Sequence, residues 1–478
     1  MSKPEELKSK TISGIQWSAV ERFSLQGVQF AINIIMARLL LPSDYGMIGM
    51  LAIFLQISQT FMDSGFSDAL VQKKDRTEKD LSTVFYFNIA ISILLYSLLF
   101  ISAPFISRFY HMSELTWVTR ILTLNLIITS FAAIPKTILM IRIDFKTQSK
   151  ISLISAIASG CIGIAMAYKE YGVWALVCQS LLNALFVTLL SYYYITWRPL
   201  RVFSKDSFLN LFSFGSKLLY SRLIHALYYN LYAIIIGRRY SSAELGYYTR
   251  AEQFAILPSG NINAIISRVT FPILSSIQDD DERLALAYRK YIKLASFLIF
   301  PLMIGLAAIA EPLISFLLTD KWLGAVILLQ ILCLDWMLDH LSQINLNLLL
   351  VKGHSDWALR LEIIKKIIAT SILVISIPFG IEAMCWGRVL YAVIATYMNS
   401  HYTSRLIKLS FVTQLKDYFP SLLLAVAMGG IVYYSIAIFS SDLLKIVGGF
   451  FIGAVFYVIL SVLFKMDEFK ELISIIKK

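Results

Sequence analysis

Apolar runs long enough to cross a lipid bilayer recur from one end of this chain to the other, and no other feature restricts its fold so severely. Residues 83–107 hold no acidic or basic side chain at all. About 20 apolar residues span the hydrocarbon core as an α-helix, in which backbone N–H and C=O groups are bonded within the segment. A soluble helix of that length needs a polar face. The chain carries 15% charged residues, where a soluble domain carries about 25%, and its mean hydropathy is +0.69. This shortage of charge excludes an ordinary soluble fold.

Fourteen candidate spans are predicted, the first at 12–37 and the last at 443–464. Two junctions are narrow: the fifth and sixth spans part only at Lys169 and Glu170, and the eleventh and twelfth at Pro378, Gly380 and Glu382. Proline and glycine suit tight turns, and twelve spans is the competing count. Residues 1–11 are polar and basic, and the apolar stretch after them lacks a small-residue cleavage signature, so it is expected to remain as the first helix.

The net charge of +12 would suit nucleic acid, but the basic residues sit in short clusters between apolar runs, as membrane topology requires. Clusters such as Lys73, Lys74, Arg76 and Lys79, or Arg142, Lys146 and Lys150, fall on one side if the N-terminus is cytoplasmic. Both termini are then expected in the cytoplasm, and no nucleic-acid partner is expected. Arg238, Arg239 and Arg250 break the trend, falling in an outward loop between the seventh and eighth spans, which suggests a loop whose function needs positive charge. Cys161, Cys178, Cys333 and Cys385 all lie in apolar runs and read as small core residues, with no disulfide or metal pattern.

The chain is also duplicated. Arg38, Asp44 and Gly46 between the first two spans are matched, 200 positions on, by Arg238, Glu244 and Gly246, and Arg22 is matched by Arg222. With six spans in each copy, both copies start on the same side, which predicts parallel lobes related by an axis along the membrane normal. The expected fold is therefore an all-α polytopic membrane protein of fourteen transmembrane helices in two pseudo-symmetric six-helix lobes plus a C-terminal helix pair. The expected divisions are 1–197, 198–410 and 411–478, the last including a cytoplasmic tail. Two such lobes can expose a cavity alternately to each side, so transport is the function this organisation serves.

A charged residue at the centre of an isolated span costs on the order of 3 kcal/mol on insertion scales, so each one needs a reason. The candidates are Glu21, Arg22, Asp63, Arg120, Lys136, Arg222, His225, Arg268, Asp335, Asp339, His340 and Arg388. Lys136 and Arg120 can snorkel towards an interface; Arg22, Arg222 and Arg268 are harder to excuse that way. Asp335 and Asp339, four apart, share a helical face with His340 adjacent. Sensing protons, binding a cation and neutralising arginines on other helices are all open for this trio, which lacks a complete transition-metal ligand set. Guanidinium groups bind phosphoryl oxygens through charge-assisted, often bidentate hydrogen bonds, so an arginine-lined cavity points to an anionic head group. Trp17, Trp117, Trp174, Trp197, Trp322 and Tyr418 read first as interfacial anchors.

The segment Ala37-Arg38-Leu39-Leu40-Leu41-Pro42-Ser43-Asp44-Tyr45-Gly46, the stretch from Asp63 through Gly65, Phe66 and Asp68 to Gln72, and the segment from Asn347 to Asp356 together resemble bacterial polysaccharide transporters. These belong to the multidrug, oligosaccharidyl-lipid and polysaccharide exporter superfamily, and the resemblance is closest to the subgroup that includes the colanic-acid repeat-unit exporter. It covers the whole chain. It implies an inner-membrane flippase, not an enzyme, that moves undecaprenyl-pyrophosphate-linked oligosaccharide units to the periplasmic leaflet for exopolysaccharide, capsule or O-antigen synthesis. Arg22, Arg222, Arg268, Arg388 and Arg120 are the expected substrate contacts, and Glu21, Asp63, Asp335, Asp339 and His340 the candidates for ion or proton coupling. No cofactor or metal is expected; proton or sodium coupling, or consumption of the product outside, would supply the drive. Membrane lipids and glycan polymerase machinery are the implied partners. No Gly-Lys-Ser or Gly-Lys-Thr phosphate loop is present to make an ATPase. The competing readings are a cation-coupled multidrug exporter, for which the arginines are unsuited, and a membrane glycan polymerase or ligase, for which no nucleophile constellation is seen.

Overall fold

The computed structural model describes residues 24–63 and 65–476, with only the backbone described for 213–218, 220, 221, 475 and 476. Among the described residues, nine helices are long and apolar enough to cross a membrane, which makes the chain an all-α polytopic membrane protein. The helices group into two compact units, residues 1–246 and 247–478.

The first unit holds α1 (24–39), α2 (Pro42–Asp63), α3 (Phe66–Gln72), α4 (Glu78–Tyr110), α5 (Leu115–Leu122), α6 (Leu124–Ile141), α7 (Phe145–Tyr168), α8 (Val173–Tyr194), α9 (Lys205–Tyr229), α10 (Leu231–Arg239) and the first turn of α11 (Ser242–Ser276). Their starts are written locally. Thr77 and Asp80 form a reciprocal capping box at α4, in which the Asp80 carboxylate accepts from the Thr77 N–H at 2.8 Å. Ser204 caps α9 by accepting the Ser207 N–H at 3.2 Å. Lipid gives helices no hydrophobic drive to associate, so close packing and interhelical hydrogen bonds must hold them together. Accordingly Asn125 donates to Ser180 Oγ at 3.0 Å and Thr188 to the Ile128 carbonyl at 3.0 Å, tying α6 to α8. A Cβ on Gly163 would come within 2.9 Å of Gln179, so only glycine lets α7 and α8 approach as they do.

The second unit continues along α11 through α12 (Asp281–Ala308), α13 (Ala310–Leu318), a 3-10 turn at Asp320–Ala325, α14 (Val326–Trp336), α15 (Asp339–Val351), α16 (Ser355–Ser376), α17 (Ile381–Ile407), α18 (Phe411–Ser435), α19 (Asp442–Leu463) and the short α20 (Asp467–Ile476). One apolar cluster, with Tyr288, Phe300, Leu348 and Ala425 fully buried, joins α12, α15 and α18. Inside it the Tyr288 hydroxyl lies 2.7 Å from Asn345 Oδ1 and 2.8 Å from Gln414 Oε1. Arg289 grips Asp417 with two donors, at 2.7 and 2.8 Å.

Both narrow junctions are turns between separate helices. Glu170 and Gly172 carry φ of 62° and 54° between α7 and α8, and Gly380 carries φ of 100° between α16 and α17. The tenth of the fourteen candidate spans, residues 323–350, is not one continuous helix: it divides at Met337–Leu338 into α14 and α15.

Candidate functional site

Each unit gathers one charged constellation from helices far apart in sequence. In the first unit, Gly65 in the left-handed conformation (φ 68°) breaks the helix between α2 and α3. The buried Phe66 ring then packs on Phe87 of α4 and Phe208 of α9, with centroids 4.9 and 5.8 Å away, and so pins the start of α3. Two residues on, Asp68 accepts from Arg222 Nη2 of α9 at 2.6 Å. Both side chains are 47% exposed, so the guanidinium keeps donors open to a second anion. Asp63, at the exposed end of α2, feels the charges of Arg222 and Lys136. Two carboxylates thus face two cations, contributed by α2, α3, α6 and α9.

In the second unit, Arg388 of α17 donates to Glu252 Oε1 of α11 at 2.5 Å, to Asp335 Oδ2 of α14 at 2.7–2.8 Å and to the Tyr248 hydroxyl at 2.5 Å. The three charged side chains are 13–18% exposed, so this quartet is shielded where the first constellation is open. Asp339 accepts from Asn263 Nδ2 at 2.9 Å. The shared face expected for Asp335, Asp339 and His340 is divided among three partners: Asp335 meets Arg388, Asp339 meets Asn263, and His340, fully buried, places Nε2 2.8 Å from Ser296 Oγ of α12. The break at Met337–Leu338 lies between the two carboxylates. Three carboxylates stand here with the Arg388 guanidinium and, beside Asp339, the charge of the buried Lys365.

The other expected residues are scattered. Arg120 lies over the Phe100 ring at 4.3 Å and the Trp117 ring at 5.2 Å, and Trp117 is exposed, as suits an interfacial anchor. Arg268 is exposed on α11, and His225 stacks on Tyr229. Glu21 and Arg22 lie outside the described residues. The arginines expected in one charged outward loop have two different settings. Arg238 and Arg239 occupy the last turn of α10, where the helix dipole favours cations, and Arg238 contacts His111 and the Phe109 ring. Arg250 is no loop residue: it is 7% exposed within α11 and donates to Gln253 at 2.5 Å.

Four participants were missed in the sequence: Asp68, Tyr248, Glu252 and Asn263. Tyr248 and Glu252, four apart, share a helical face, and this was the available signal once α11 is known to start at Ser242. Among the described residues no group of three His, Cys, Asp or Glu stands close enough to hold a metal ion. All four cysteines are free thiols.

Comparison with known proteins gives one consistent result. The family profile described as "Polysaccharide biosynthesis protein" matches residues 35–327. The teichuronic acid biosynthesis protein TuaB of Bacillus subtilis (strain 168) is 28% identical over 433 residues, 89% of each chain. The lipopolysaccharide biosynthesis protein WzxC of Escherichia coli (strain K12) is 23% identical over 396 residues, 82% of this chain and 80% of the relative. Among solved structures, the lipid II flippase MurJ in an inward closed conformation superposes with a TM-score of 0.74 at 15% identity, covering 96% of this chain and 100% of that one. An inward-facing multidrug resistance transporter of the MATE family and the MOP superfamily gives a TM-score of 0.60 at 16% identity, over 82% of this chain and 99% of the other. The chain therefore belongs to the polysaccharide biosynthesis protein family, with the fold of the multidrug, oligosaccharidyl-lipid and polysaccharide exporter superfamily.

Proposed function

We propose that this protein is a flippase that moves undecaprenyl-pyrophosphate-linked oligosaccharide units across the bacterial inner membrane by alternating access, without covalent chemistry. In this reading fourteen spans form two six-helix lobes, 1–197 and 198–410, with 411–478 as an appended pair and tail, both termini are cytoplasmic, and glycan polymerase machinery takes up the product. Relatives that match most of this chain are named for chemically different polymers, teichuronic acid, lipopolysaccharide and succinoglycan. A machine common to such varied sugars recognises what they share, and an anionic lipid carrier is the shared part.

The observation that carries this reading is the half-exposed Arg222, whose bonded carboxylate among the described residues is that of the equally exposed Asp68. Exposed ion pairs are weak, whereas a pyrophosphate offers several charge-assisted acceptors to the same guanidinium, so an arriving head group can displace Asp68. Arg388 is a poorer phosphate ligand, because two carboxylates already occupy its donors. With Asp335, Asp339 and Glu252 outnumbering Arg388 and Lys365, the second constellation is better suited to a coupling cation or proton than to substrate. Arg22, Arg268 and Arg120 stay as secondary candidates for the head group, and Glu21, Asp63 and His340 for coupling.

The test is reconstitution in vesicles containing a fluorescent undecaprenyl-pyrophosphate glycan, following its exposure on each leaflet. Protein-dependent translocation is expected, falling by about tenfold or more in Arg222→Gln, the loss of one charge-assisted contact. Correctly inserted protein that leaves the glycan on its original leaflet refutes the assignment.

A further inference from the structure

The two copies of the duplicated segment meet each other. Their helices begin at matched positions, α2 at Pro42 and α11 at Ser242, and matched acids cap them. The Asp44 carboxylate accepts the Leu41 N–H at 2.9 Å, and the Glu244 carboxylate accepts the Ser241 N–H at 2.8 Å. A Cβ on Gly46 would collide with the Ser242 carbonyl oxygen, and a Cβ on Gly246 with the Pro42 carbonyl oxygen. Residue 46 meets 242 while 246 meets 42, the reciprocity of an isologous contact about a local two-fold axis. Backbone touches backbone there, and any side chain at either glycine forces the turns apart.

From this clasp α2 runs antiparallel to the segment 222–246. A Cβ on Gly237 would meet Met50 at 2.9 Å, Asn230 donates to Gln56 at 2.5 Å, and Arg222 closes the far end on Asp68. As one number rises the other falls, so clasp and ion pair are opposite ends of one seam. Two features suit the clasp to parting. Each first turn is capped by its own acid, within its own helix, whether docked or not. At the two glycines the approach is of Cα to a carbonyl oxygen, a weak kind of contact.

We propose that Gly46 and Gly246 form a two-fold clasp that closes the outward end of this seam and opens during each transport cycle, with close glycine approach setting the balance between closed and open states. This rests on the alternating-access reading above and on the orientation it assigns.

The probe is the full-length chain with its four cysteines replaced by alanine and Met50→Cys as reporter, since Met50 is 1% exposed against Gly237. Cells are treated with a membrane-impermeant maleimide. Gly46→Leu and Gly246→Leu should each raise the labelling rate by about tenfold or more, and to a similar extent, because bulk at either glycine destabilises the same docked state. Gly430→Leu, where a Cβ meets nothing within 4 Å, should leave it unchanged. If folded Gly46→Leu and Gly246→Leu proteins label no faster than the parent, the contact is static packing and the proposal fails. Where leucine prevents folding, the alanine variants decide in the same way, and unchanged labelling in them also overturns it. The labelling needs no cargo, so vesicles that fail to translocate the glycan would refute the flippase reading and leave the clasp standing.

Discussion

Replacing Arg388 by glutamine removes the one cation that Glu252 and Asp335 share. Both carboxylates sit 2.5–2.8 Å from its donors, and the side chains are no more than 18% exposed, so water cannot take over the lost role. Breaking a buried ion pair by removing one partner typically costs about 3–5 kcal/mol, and here two acids are stranded instead of one. Against a total stability of about 5–15 kcal/mol for a folded domain, such a loss should be plain in the thermal unfolding of detergent-purified protein as a lower midpoint and a poor folded yield. The cost lies in uncompensated charge, so Glu252→Gln and Asp335→Asn added to Arg388→Gln should recover most of the stability. An Arg388→Gln protein as stable as the parent, or a triple variant no better than the single, would refute the view that Arg388 chiefly serves its carboxylates.

Asp68→Asn and Arg222→Gln should each change stability by no more than about 1 kcal/mol, as for an exposed pair, while only Arg222→Gln weakens binding of the pyrophosphate head group in a direct titration; equal losses from both variants would count against Arg222 as the phosphate contact. Tyr288→Phe should cost about 1–3 kcal/mol, because it removes the hydroxyl whose one proton is donated to one of the two buried amide oxygens beside it, Asn345 Oδ1 or Gln414 Oε1; unfolding of purified protein measures it, and no change would mean the hydroxyl gives nothing to that core. Glu170→Gly, at a φ of 62° between α7 and α8, should stabilise slightly or not at all, the relief of left-handed strain offsetting the entropy of a new glycine; a loss above about 1 kcal/mol would show that the Glu170 side chain has a partner.

Hydropathy, caps and turn residues act over a few neighbouring positions, and whatever depends on them was legible in the sequence. The all-α membrane class came from apolar runs such as 83–107, and the separate helices on either side of Gly172 and Gly380 came from residues that tolerate positive φ. The matched acids Asp44 and Glu244 were visible as a repeat, and their capping role needs only the first turn of each helix. Partner choice lies on a different scale. Arg388 finds Asp335 and Glu252 at separations of 53 and 136 residues, and Arg222 finds Asp68 at 154. No local pattern encodes such pairings, because they follow from which helix faces meet once the bundle packs. For the same reason Asp335 and Asp339, neighbours by periodicity, took different partners across a helix break, and Arg250 moved from an expected loop to a buried position. The duplication predicted that Gly46 and Gly246 are equivalent; only the packed bundle brings each against the other copy's backbone, at a distance that leaves no room for a side chain.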